Sequence, residues 1–358
     1  MDYLKFNLLT LKALNGIGDR TILYLLQNKR DDLNQNLNYD QLKELIPKRL
    51  NKLTKDDFNK ACKIAEKYHE YDLVTYLDSI YPDALKQIYS PPPVLFFKGN
   101  LDYAYLKSLA IVGMRKATSY GIKTVKYFVQ GFSYMKDFTI ISGLAYGIDS
   151  IAHEESLVHE LKCVAVLGSG LNNIYPLSNK KLAQKIIDQG GAVISELFPD
   201  TEPQPHYFPL RNRIIAGLSR GVLVIEAGEK SGSLITAKLA FDEGRFVFSV
   251  PADIFRESYK GNNLLIKNNI SNLVLSADDI LTAYGFDRQN LSFQNKSEIQ
   301  FEDPRYKVIL DLLKSDYLSA DIISSKTGID ISEVNVILQE LEILDIVRIN
   351  ERGEYQIS

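Results

Sequence analysis

The chain has 358 residues but only two cysteines, Cys62 and Cys163, which lie in unrelated contexts. Two isolated cysteines cannot form a disulfide framework or supply CxxC pairs for a metal. The sequence also lacks an apolar run of about 18 residues, the length needed to span a bilayer. The start, MDYLKFNLLTLKALNG, mixes charged with apolar residues and has no small-residue cleavage site, so an amphipathic helix is expected there instead of a signal peptide. These absences predict a cytoplasmic protein with no metal site and no membrane segment.

An excess of positive charge is also missing. The 42 Lys and Arg residues stand against 45 Asp and Glu, which gives a net charge of −3. This balance does not indicate a polyanionic partner, although a groove on a nearly neutral protein can still be basic. Apolar residues make up 45% and charged residues 24% of the chain, as in an ordinary globular protein of two or three domains.

Four segments of different texture divide the sequence. Residues 1–85 place apolar positions at three- and four-residue spacing, which predicts a helical domain. The three prolines at 91–93 cannot continue a helix and mark the start of a different texture, so residues 86–285 form the second segment. Residues 286–303 are polar and patternless, as in a linker. Residues 304–358 carry three helical patterns and two short strands, the order of a winged helix.

The second segment predicts an α/β fold. Its apolar runs are continuous, as expected for parallel strands that are buried on both faces. Their alternation with helical patterns predicts an extended Rossmann-like, doubly wound, mostly parallel sheet. In such a sheet, ligands bind beyond the carboxyl ends of the strands, where the unusual residues of this sequence gather. The runs are SLAIVGM, FTIISG, CVAVLGSG, AVISEL, GVLVIEA and RFVFSVP.

Glycines, hydroxyls and basic residues follow the first three of these runs. The first turn, GMRKATSYG, is not a GxGxxG fingerprint, and no acidic residue stands at the ribose position, so no cofactor is predicted. The arginine and lysine of that turn suit an anionic ligand, and a solvated loop with incidental charges is the alternative. The residues that we assign to a ligand site after these strands are Arg115, Lys116, Thr118, Ser142, Gly143, Gly168 and Gly170.

Asp149 and His153 lie four residues apart on one predicted helix face, a spacing that allows them to pair. A catalytic couple would need a nucleophile, and none is obvious nearby. We therefore favour a structural pair.

The densest cluster of candidate residues is the stretch FPLRNRIIAGLS at 208–219. Pro209 suits a first helical turn, so Arg211, Asn212 and Arg213 fall at a helix start, where backbone amides and the dipole favour an anion. Arginine forks bind phosphate in a bidentate manner, and Phe208 beside them is suited to stack a base. In the alternative, the aromatic ring belongs to the core and the arginines pair with Glu196 or Glu226.

The stretch SGSLITAKLA follows the run GVLVIEAGEK and begins another predicted helix. It is not a Walker A loop, because the GxxxxGK[ST] spacing is absent. Lys230 can neutralise a phosphate, and the Ser231 and Ser233 hydroxyls flank Gly232 at the helix start. Magnesium carboxylates and a general base are not evident. The chemistry therefore suits holding a phosphodiester without cleaving it.

Five segments in this order resemble the DprA (Smf) family of DNA-processing proteins: GMRKATSYG, SGLAYGIDSIAH, VAVLGSGLNNIYP, FPLRNRIIAGLS and EAGEKSGSLITAKLA. The likeness is strong over residues 80–285, and the flanking domains agree in order and size. It implies an N-terminal domain of the SAM or helix-hairpin-helix type, an extended Rossmann domain and a winged helix. It also implies a non-catalytic homodimer that binds and protects single-stranded DNA and loads the RecA recombinase during natural transformation. In that family the DNA pocket is lined by the residues found here as Arg115, Phe208, Arg211, Asn212, Arg213 and Lys230 to Ser233.

Two other functions stay open from the residues alone. One is a nucleotide phosphoribohydrolase with Glu226 or Glu196 as the acid–base, although GEKSGSLIT replaces the PGGxGT element of such enzymes. The other is a transcription factor that reads duplex DNA through the winged helix. Residues 301–358 carry six Lys and Arg against twelve Asp and Glu, a net charge of 6 − 12 = −6, which repels phosphates. We expect that domain to contact protein or to support a dimer.

Overall fold

The computed structural model describes residues 2–47, 53–103, 105–135, 137–286, 303–313, 317–343, 346–350 and 353–357. The chain divides into two compact units, Met1–Ile280 and Leu281–Ser358. The predicted linker lies outside the described residues, apart from its two end positions. No described helix has both the length and the apolar character that a membrane crossing demands.

Helices account for much of the described chain. Up to residue 286 the α-helices are α1 Tyr3–Ala13, α2 Asp19–Asn28, α3 Arg30–Leu33, α4 Tyr39–Leu45, α5 Lys55–Tyr68, α6 Asp83–Lys86, α7 Ser119–Phe132, α8 Ile148–Val158, α9 Lys180–Asp188, α10 Tyr207–Leu218, α11 Ser233–Asp242, α12 Lys260–Lys267 and α13 Ala277–Ala283. In the second unit they are α14 Pro304–Leu313, α15 Ala320–Thr327 and α16 Ile331–Ile343.

The strands form two separate sheets. In the first unit they are β1 Leu73–Thr75, β2 Val94–Gly99, β3 Ser108–Val112, β4 Thr139–Ser142, β5 Lys162–Val166, β6 Ala192–Ser195, β7 Gly221–Val224, β8 Phe246–Ser249 and β9 Asn272–Leu273. In the second unit they are β10 Leu318–Ser319, β11 Val347–Ile349 and β12 Glu354–Ile357.

The nine described strands of the first unit lie in the order β1-β2-β6-β5-β4-β3-β7-β8-β9. Strands β3 to β9 pair in parallel, whereas β2 pairs antiparallel with both β1 and β6. From β3 the chain moves outward through β4, β5 and β6, and then returns to the other side of β3 with β7. The predicted doubly wound, mostly parallel sheet is thereby confirmed. Its topological switch point lies between β3 and β7, where such folds bind ligands.

The helical segment at the N-terminus folds onto the sheet. Leucines of α1 and α2, such as Leu8 and Leu25, share one buried core with Phe96 of β2 and Ile186 of α9. The hydroxyl of Tyr68, at the end of α5, donates to Asp200 at 2.8 Å, and the Tyr68 ring stacks on Phe198. The helical segment and the sheet therefore belong to one compact unit, and the domain boundary at residue 85 stays a prediction.

The sheet also begins earlier than the helical pattern predicts. Strand β1 lies within the segment that was expected to be helical, and it pairs with β2 across the three prolines. The carbonyl of Pro93 accepts a hydrogen bond from Tyr76 at 3.0 Å, and the prolines at 91–93 are buried. The prolines therefore lead directly into β2, which pairs with β1.

The second unit has its own core of buried aliphatic residues, among them Ile309, Ile323, Leu338 and Val347. Its strands have the order β10-β12-β11 and pair antiparallel. The three helices and the two C-terminal strands agree with the sequence prediction, and the short strand β10 was not predicted. The predicted winged-helix arrangement is confirmed.

Candidate nucleic-acid interface

A pocket of about 280 Å³ opens at the switch point of the sheet. We call it the phosphate pocket. Its walls come from the turns after β3 and β4, the first turn of α10 and the start of α11. The residues that the sequence predicted for the site and that line the pocket are Arg115, Phe208, Arg211, Asn212, Ser231, Gly232 and Ser233. Residues from four separate segments of the chain therefore meet at one edge of the sheet.

Arg115 is the exposed cation at this pocket. Its guanidinium carbon lies 5.2 Å from the centroid of the Phe208 ring, within cation–π distance. The Tyr175 ring lies 5.6 Å from the Phe208 ring at an interplanar angle of 56°. Among the described residues, no carboxylate forms an ion pair with Arg115. The arginine is held in place by an aromatic ring, and its charge remains available to an anion.

Arg211 lies in the same wall but is buried. Its side chain is 5% exposed, and Nη1 donates to the carbonyl of Gly143 at 2.8 Å and to the carbonyl of Val166. Burial lowers the pKa of its guanidinium to about 10, so the group stays charged at neutral pH. Asp149 stands near it, and burial raises the pKa of that carboxyl. The guanidinium joins the ends of β4 and β5 through Nη1 and also lines the pocket, and its predicted contact with phosphate stays a prediction.

Arg213 does not line the phosphate pocket. Its Nη2 lies 2.6 Å from Glu196 and 3.2 Å from Asp19 at the start of α2. Two helix positions apart correspond to about 200° of rotation, so Arg211 and Arg213 point to opposite sides of α10. The alternative interpretation from the sequence, an ion pair with Glu196, is what the structure shows for Arg213.

The turn before α11 forms another wall of the pocket. The Ser231 and Ser233 hydroxyls lie 2.7 Å apart, and the amide of Asn212 donates to the carbonyl of Gly232 at 3.5 Å. Asn212 therefore connects the first turn of α10 to this turn. Lys230 and Lys116 are exposed, and each directly adjoins a residue that lines the pocket. Helix N-termini attract anions through their amides and dipole, and the start of α11 supplies such a terminus here.

Thr118 stabilises the turn after β3. Its side chain caps α7 by accepting from the Gly121 amide at 3.2 Å, and its own amide donates to the Glu226 carboxylate at 2.9 Å. Glu226 is fully buried. A Cβ atom on Gly121 would lie 2.3 Å from that carboxylate, which explains the glycine. Thr118 and Glu226 thus fix the turn that carries Arg115.

Close packing accounts for the other glycines and the serine that the sequence singled out. A Cβ atom on Gly168 would lie 2.8 Å from the Phe208 ring, one on Gly143 would lie 2.5 Å from the Arg211 guanidinium, and one on Gly170 would meet the Pro199 carbonyl at 2.2 Å. Ser142 is buried, and its hydroxyl donates to the carbonyl of Ile111 at 2.6 Å. These residues pack behind the residues that line the pocket and do not line it themselves.

Asn262 is a residue that sequence reasoning missed. It is fully buried in α12, accepts from the Ala227 amide at 2.7 Å and donates to the carbonyls of Val224, Ile225 and Val250. The side chain thereby holds the chain in place after β7, ahead of the turn with Lys230. The segment GNNLLI on a helix was the available signal, but the partners of Asn262 are distant in sequence.

The predicted pair of Asp149 and His153 is not formed. The Asp149 carboxylate accepts from the Gly143 amide at 3.1 Å, whereas neither ring nitrogen of His153 has a hydrogen-bond partner. Burial lowers the pKa of His153 to about 3, so the ring is neutral. In the part of the chain that the structure describes, no group of three or more His, Cys, Asp or Glu side chains is arranged to hold a metal ion.

Comparison with known proteins identifies the family. The sequence profile of the DNA recombination-mediator protein A family matches residues 72–285, and that of the DprA winged helix domain matches residues 298–349. The chain belongs to the DNA recombination-mediator protein A family. The DprA (Smf) resemblance that the sequence motifs predicted is therefore confirmed.

Several relatives and solved structures of this family are similar to the chain. It is 41% identical to DNA processing protein DprA of Streptococcus pneumoniae over 62% of this chain and 78% of that protein. It is 36% identical to Protein Smf of Escherichia coli over 76% of this chain and 74% of that protein. The X-ray structure of the Streptococcus pneumoniae protein matches with a TM-score of 0.69 and 34% identity, covering 80% of this chain and 100% of that one.

A second solved structure concerns the single-stranded DNA binding mode of DNA processing protein A from Helicobacter pylori. It matches with a TM-score of 0.52 and 28% identity, over 60% of this chain and 96% of that chain. The two DprA structures share the fold that is described here for the sheet and its helices.

Proposed function

We propose that this protein binds single-stranded DNA at the phosphate pocket and holds it without cleavage. The observation that carries the proposal is Arg115, an exposed cation without a carboxylate partner among the described residues. It contacts the Phe208 ring and lines the same pocket as Ser231 and Ser233. Membership of a family described as recombination mediators supports a nucleic-acid ligand. The single-stranded DNA binding mode of the Helicobacter pylori relative supports a single strand in particular.

The proposed mechanism is electrostatic. Arg115, Lys116 and Lys230 neutralise successive phosphates, and the start of α11 donates backbone amides and serine hydroxyls. The aromatic rings at 175 and 208 offer a surface on which a base can stack, worth roughly 1–3 kcal/mol. In this proposal Arg211 and Arg213 position the site from within the fold and do not touch the DNA.

The alternative of a nucleotide phosphoribohydrolase is disfavoured by the two acids that it would need. Glu196 is 9% exposed and forms an ion pair with Arg213 at 2.6 Å. Glu226 is fully buried and accepts from the amide of Thr118. A carboxylate that holds a neighbouring turn or cation is poorly placed to exchange protons with a substrate.

The test is a titration of fluorescent oligo-dT at several salt concentrations. Arg115→Ala and Lys230→Ala are expected to weaken binding and to lower the slope of log affinity against log salt by about 0.7 each. Lys55→Ala is the matched control, since this exposed lysine lies at the start of α5 and outside the pocket. Affinities of the Arg115 and Lys230 variants that equal that of the wild type would remove the proposed pocket. Hydrolysis of AMP without oligonucleotide binding would favour the enzyme.

Two further proposals concern the proteins with which this chain assembles. We propose that the protein acts as a homodimer and delivers single-stranded DNA to the RecA recombinase, as the family resemblance implies. A strand-exchange assay on DNA coated with single-strand binding protein tests the delivery, and sedimentation tests the dimer. RecA assembly that does not accelerate in the presence of this protein would contradict the loading role.

The winged-helix unit is proposed to contact protein and not duplex DNA. Helix α16 contains Glu333, Glu340 and Glu342 and no lysine or arginine. A helix that reads the major groove needs positive charge to approach phosphates. Removal of residues 304–358 is expected to leave affinity for single strands within about twofold. Loss of most of the affinity would assign DNA contacts to this unit.

A further inference from the structure

A second basic pocket, of about 420 Å³, lies between α9 and strand β2. Three lysines line it, and its lining includes no acidic residue. We call it the lysine groove and define it by Lys98, Lys180, Lys181, Leu171, Asn172 and Ile174. It is separate from the phosphate pocket, and none of its residues was assigned to the ligand site from the sequence.

The charge of this groove is uncompensated. All three lysines are exposed, and none forms an ion pair within the part of the chain that the structure describes. Asp200, which accepts from Asn172 at 2.6 Å, is itself paired with Lys67 at 2.6 Å. The groove therefore presents positive charge that an anion can neutralise.

The position of two of these lysines is unfavourable for the isolated helix. Lys180 and Lys181 are the first two residues of α9, whose first turn contains no acidic residue. The dipole of a helix favours negative charge at its N-terminus and opposes positive charge there. An anion bound in the groove would reverse this penalty, because it would interact favourably with both the lysines and the helix terminus.

One loop separates the groove from the phosphate pocket. Leu171, Asn172 and Ile174 line the groove, whereas Gly168 and Tyr175 of the same loop contact Phe208 on the other side. The loop is held rigidly: the amide of Gly170 donates to the Thr201 carbonyl at 2.8 Å, and that of Asn172 donates to the Pro199 carbonyl at 2.9 Å. The Asn179 side chain donates to the Leu144 carbonyl at 3.0 Å. The two basic pockets therefore lie on either side of a fixed wall, with the exposed Tyr175 ring along it.

We propose that the lysine groove is a second phosphate-binding segment for the same strand of DNA. This inference rests on the proposed function. A strand seated in the phosphate pocket crosses the loop beside Tyr175, and its next phosphates reach Lys180, Lys181 and Lys98. Short strands occupy the pocket alone, whereas longer strands engage both sites.

The test measures how the removal of lysine charges changes the affinity for DNA strands of different lengths. Oligo-dT strands from about 4 to about 24 nucleotides are titrated against wild type, Lys180→Gln/Lys181→Gln and Lys98→Gln, over the range of site sizes known for single-strand binders. The double variant is expected to bind the shortest strand within about twofold of wild type. Its affinity for the longest strand is expected to fall on the order of tenfold, and its salt slope by about 1.4, at about 0.7 per lost contact. Lys98→Gln is expected to lower that slope by about 0.7.

The matched control is Lys55→Gln/Lys63→Gln, which removes the same charge from exposed positions on α5 that lie in neither pocket. An equal loss in this control, or an unchanged dependence on length in the Lys180/Lys181 variant, would overturn the inference while leaving the phosphate pocket intact. An equal loss for short and long strands would also overturn it. A wild-type protein that binds no strand of any length would instead contradict the proposed function itself.

Discussion

The guanidinium carbon of Arg115 lies 5.2 Å from the centroid of the Phe208 ring. The ring is also contacted by Tyr175 and backed by Gly168, so the turn after β3 and the loop after β5 meet at one aromatic side chain. Phe208 therefore positions the exposed cation of the phosphate pocket in addition to offering a stacking surface. Its removal is expected to affect DNA binding through both effects.

Replacement of Phe208 by leucine keeps an apolar side chain but removes the ring. We expect affinity for oligo-dT to fall about tenfold, because the stacking surface and the cation–π contact with Arg115 are both lost. Phe208→Tyr keeps the ring and is expected to stay within about twofold of wild type. Fluorescence anisotropy at one salt concentration measures both variants. Wild-type affinity in the leucine variant would show that the ring does not take part.

Alanine at Gly168 is expected to weaken DNA binding more than it weakens the fold. The new Cβ would lie 2.8 Å from the Phe208 ring, which is only half-buried and can shift outward. Alanine at Gly143 is the contrasting variant, since its Cβ would lie 2.5 Å from the buried Arg211 guanidinium. We expect Gly143→Ala to lower the free energy of unfolding by about 1–3 kcal/mol. Urea unfolding and oligo-dT titration of both variants check this, and equal stability losses would contradict it.

Arg213 is expected to contribute to stability and not to DNA affinity. Its side chain is 16% exposed and pairs with Glu196 and Asp19, so Arg213→Ala leaves the Glu196 carboxylate without its cation and leaves Asp19 with Lys12 at 3.8 Å. We expect a loss of about 3 kcal/mol in the free energy of unfolding, against less than about 0.5 kcal/mol for the exposed Arg115→Ala. Urea unfolding measures both. If Arg213→Ala kept full stability but lost DNA binding, the sequence-based assignment of Arg213 to phosphate would be right.

Because His153 is buried, we expect the free energy of unfolding to fall in mild acid. Its pKa is about 3 in the folded protein and 6.5 in an unperturbed histidine, because burial opposes the charge. The unfolded state therefore binds more protons between these values, and the stabilisation is complete above the higher pKa and is lost as the pH falls towards the lower one. From about pH 7 to about pH 5 the loss is expected to be about 2 kcal/mol.

The variant that tests this is His153→Leu. The loss of stability between about pH 7 and about pH 5 that comes from His153 should disappear in it, even if the variant is less stable than wild type at neutral pH. His206→Asn, at an exposed position, serves as the control and should keep the wild-type dependence. Urea midpoints at both pH values measure the effect. An identical pH dependence in His153→Leu and wild type would show that the buried ring does not resist protonation.

Much of the sheet could be predicted because its strands are continuous apolar runs, each followed by a glycine-containing turn. Strand β1 could not, since a three-residue strand is too short to show a period and its partner β2 lies about twenty residues away. Strand β9 has only two residues and could not be predicted for the same reason. Short edge strands are determined by the backbone groups that they meet, and these are supplied by the rest of the fold.

The residues of the candidate site were predictable as a group but not in their individual roles. Arg115, Arg211 and Arg213 carry the same charge and lie near strand or helix ends, so the sequence favoured all three as phosphate ligands. The two-residue spacing of Arg211 and Arg213 was a signal that they face different sides of a helix. Their partners could not be predicted, because Asp19 is 194 positions away from Arg213.

The sequence by itself determined the α/β class, the doubly wound sheet and the edge at which the candidate site lies, because these follow from hydrophobic patterning and from the residues that end each strand. Only the tertiary structure decided which basic groups remain available. Docking of the N-terminal helices brings Asp19 to Arg213, and the closing of the sheet buries Arg211 between two strand ends. A charge that finds a partner inside the fold is lost to a ligand, and that outcome depends on contacts between distant segments.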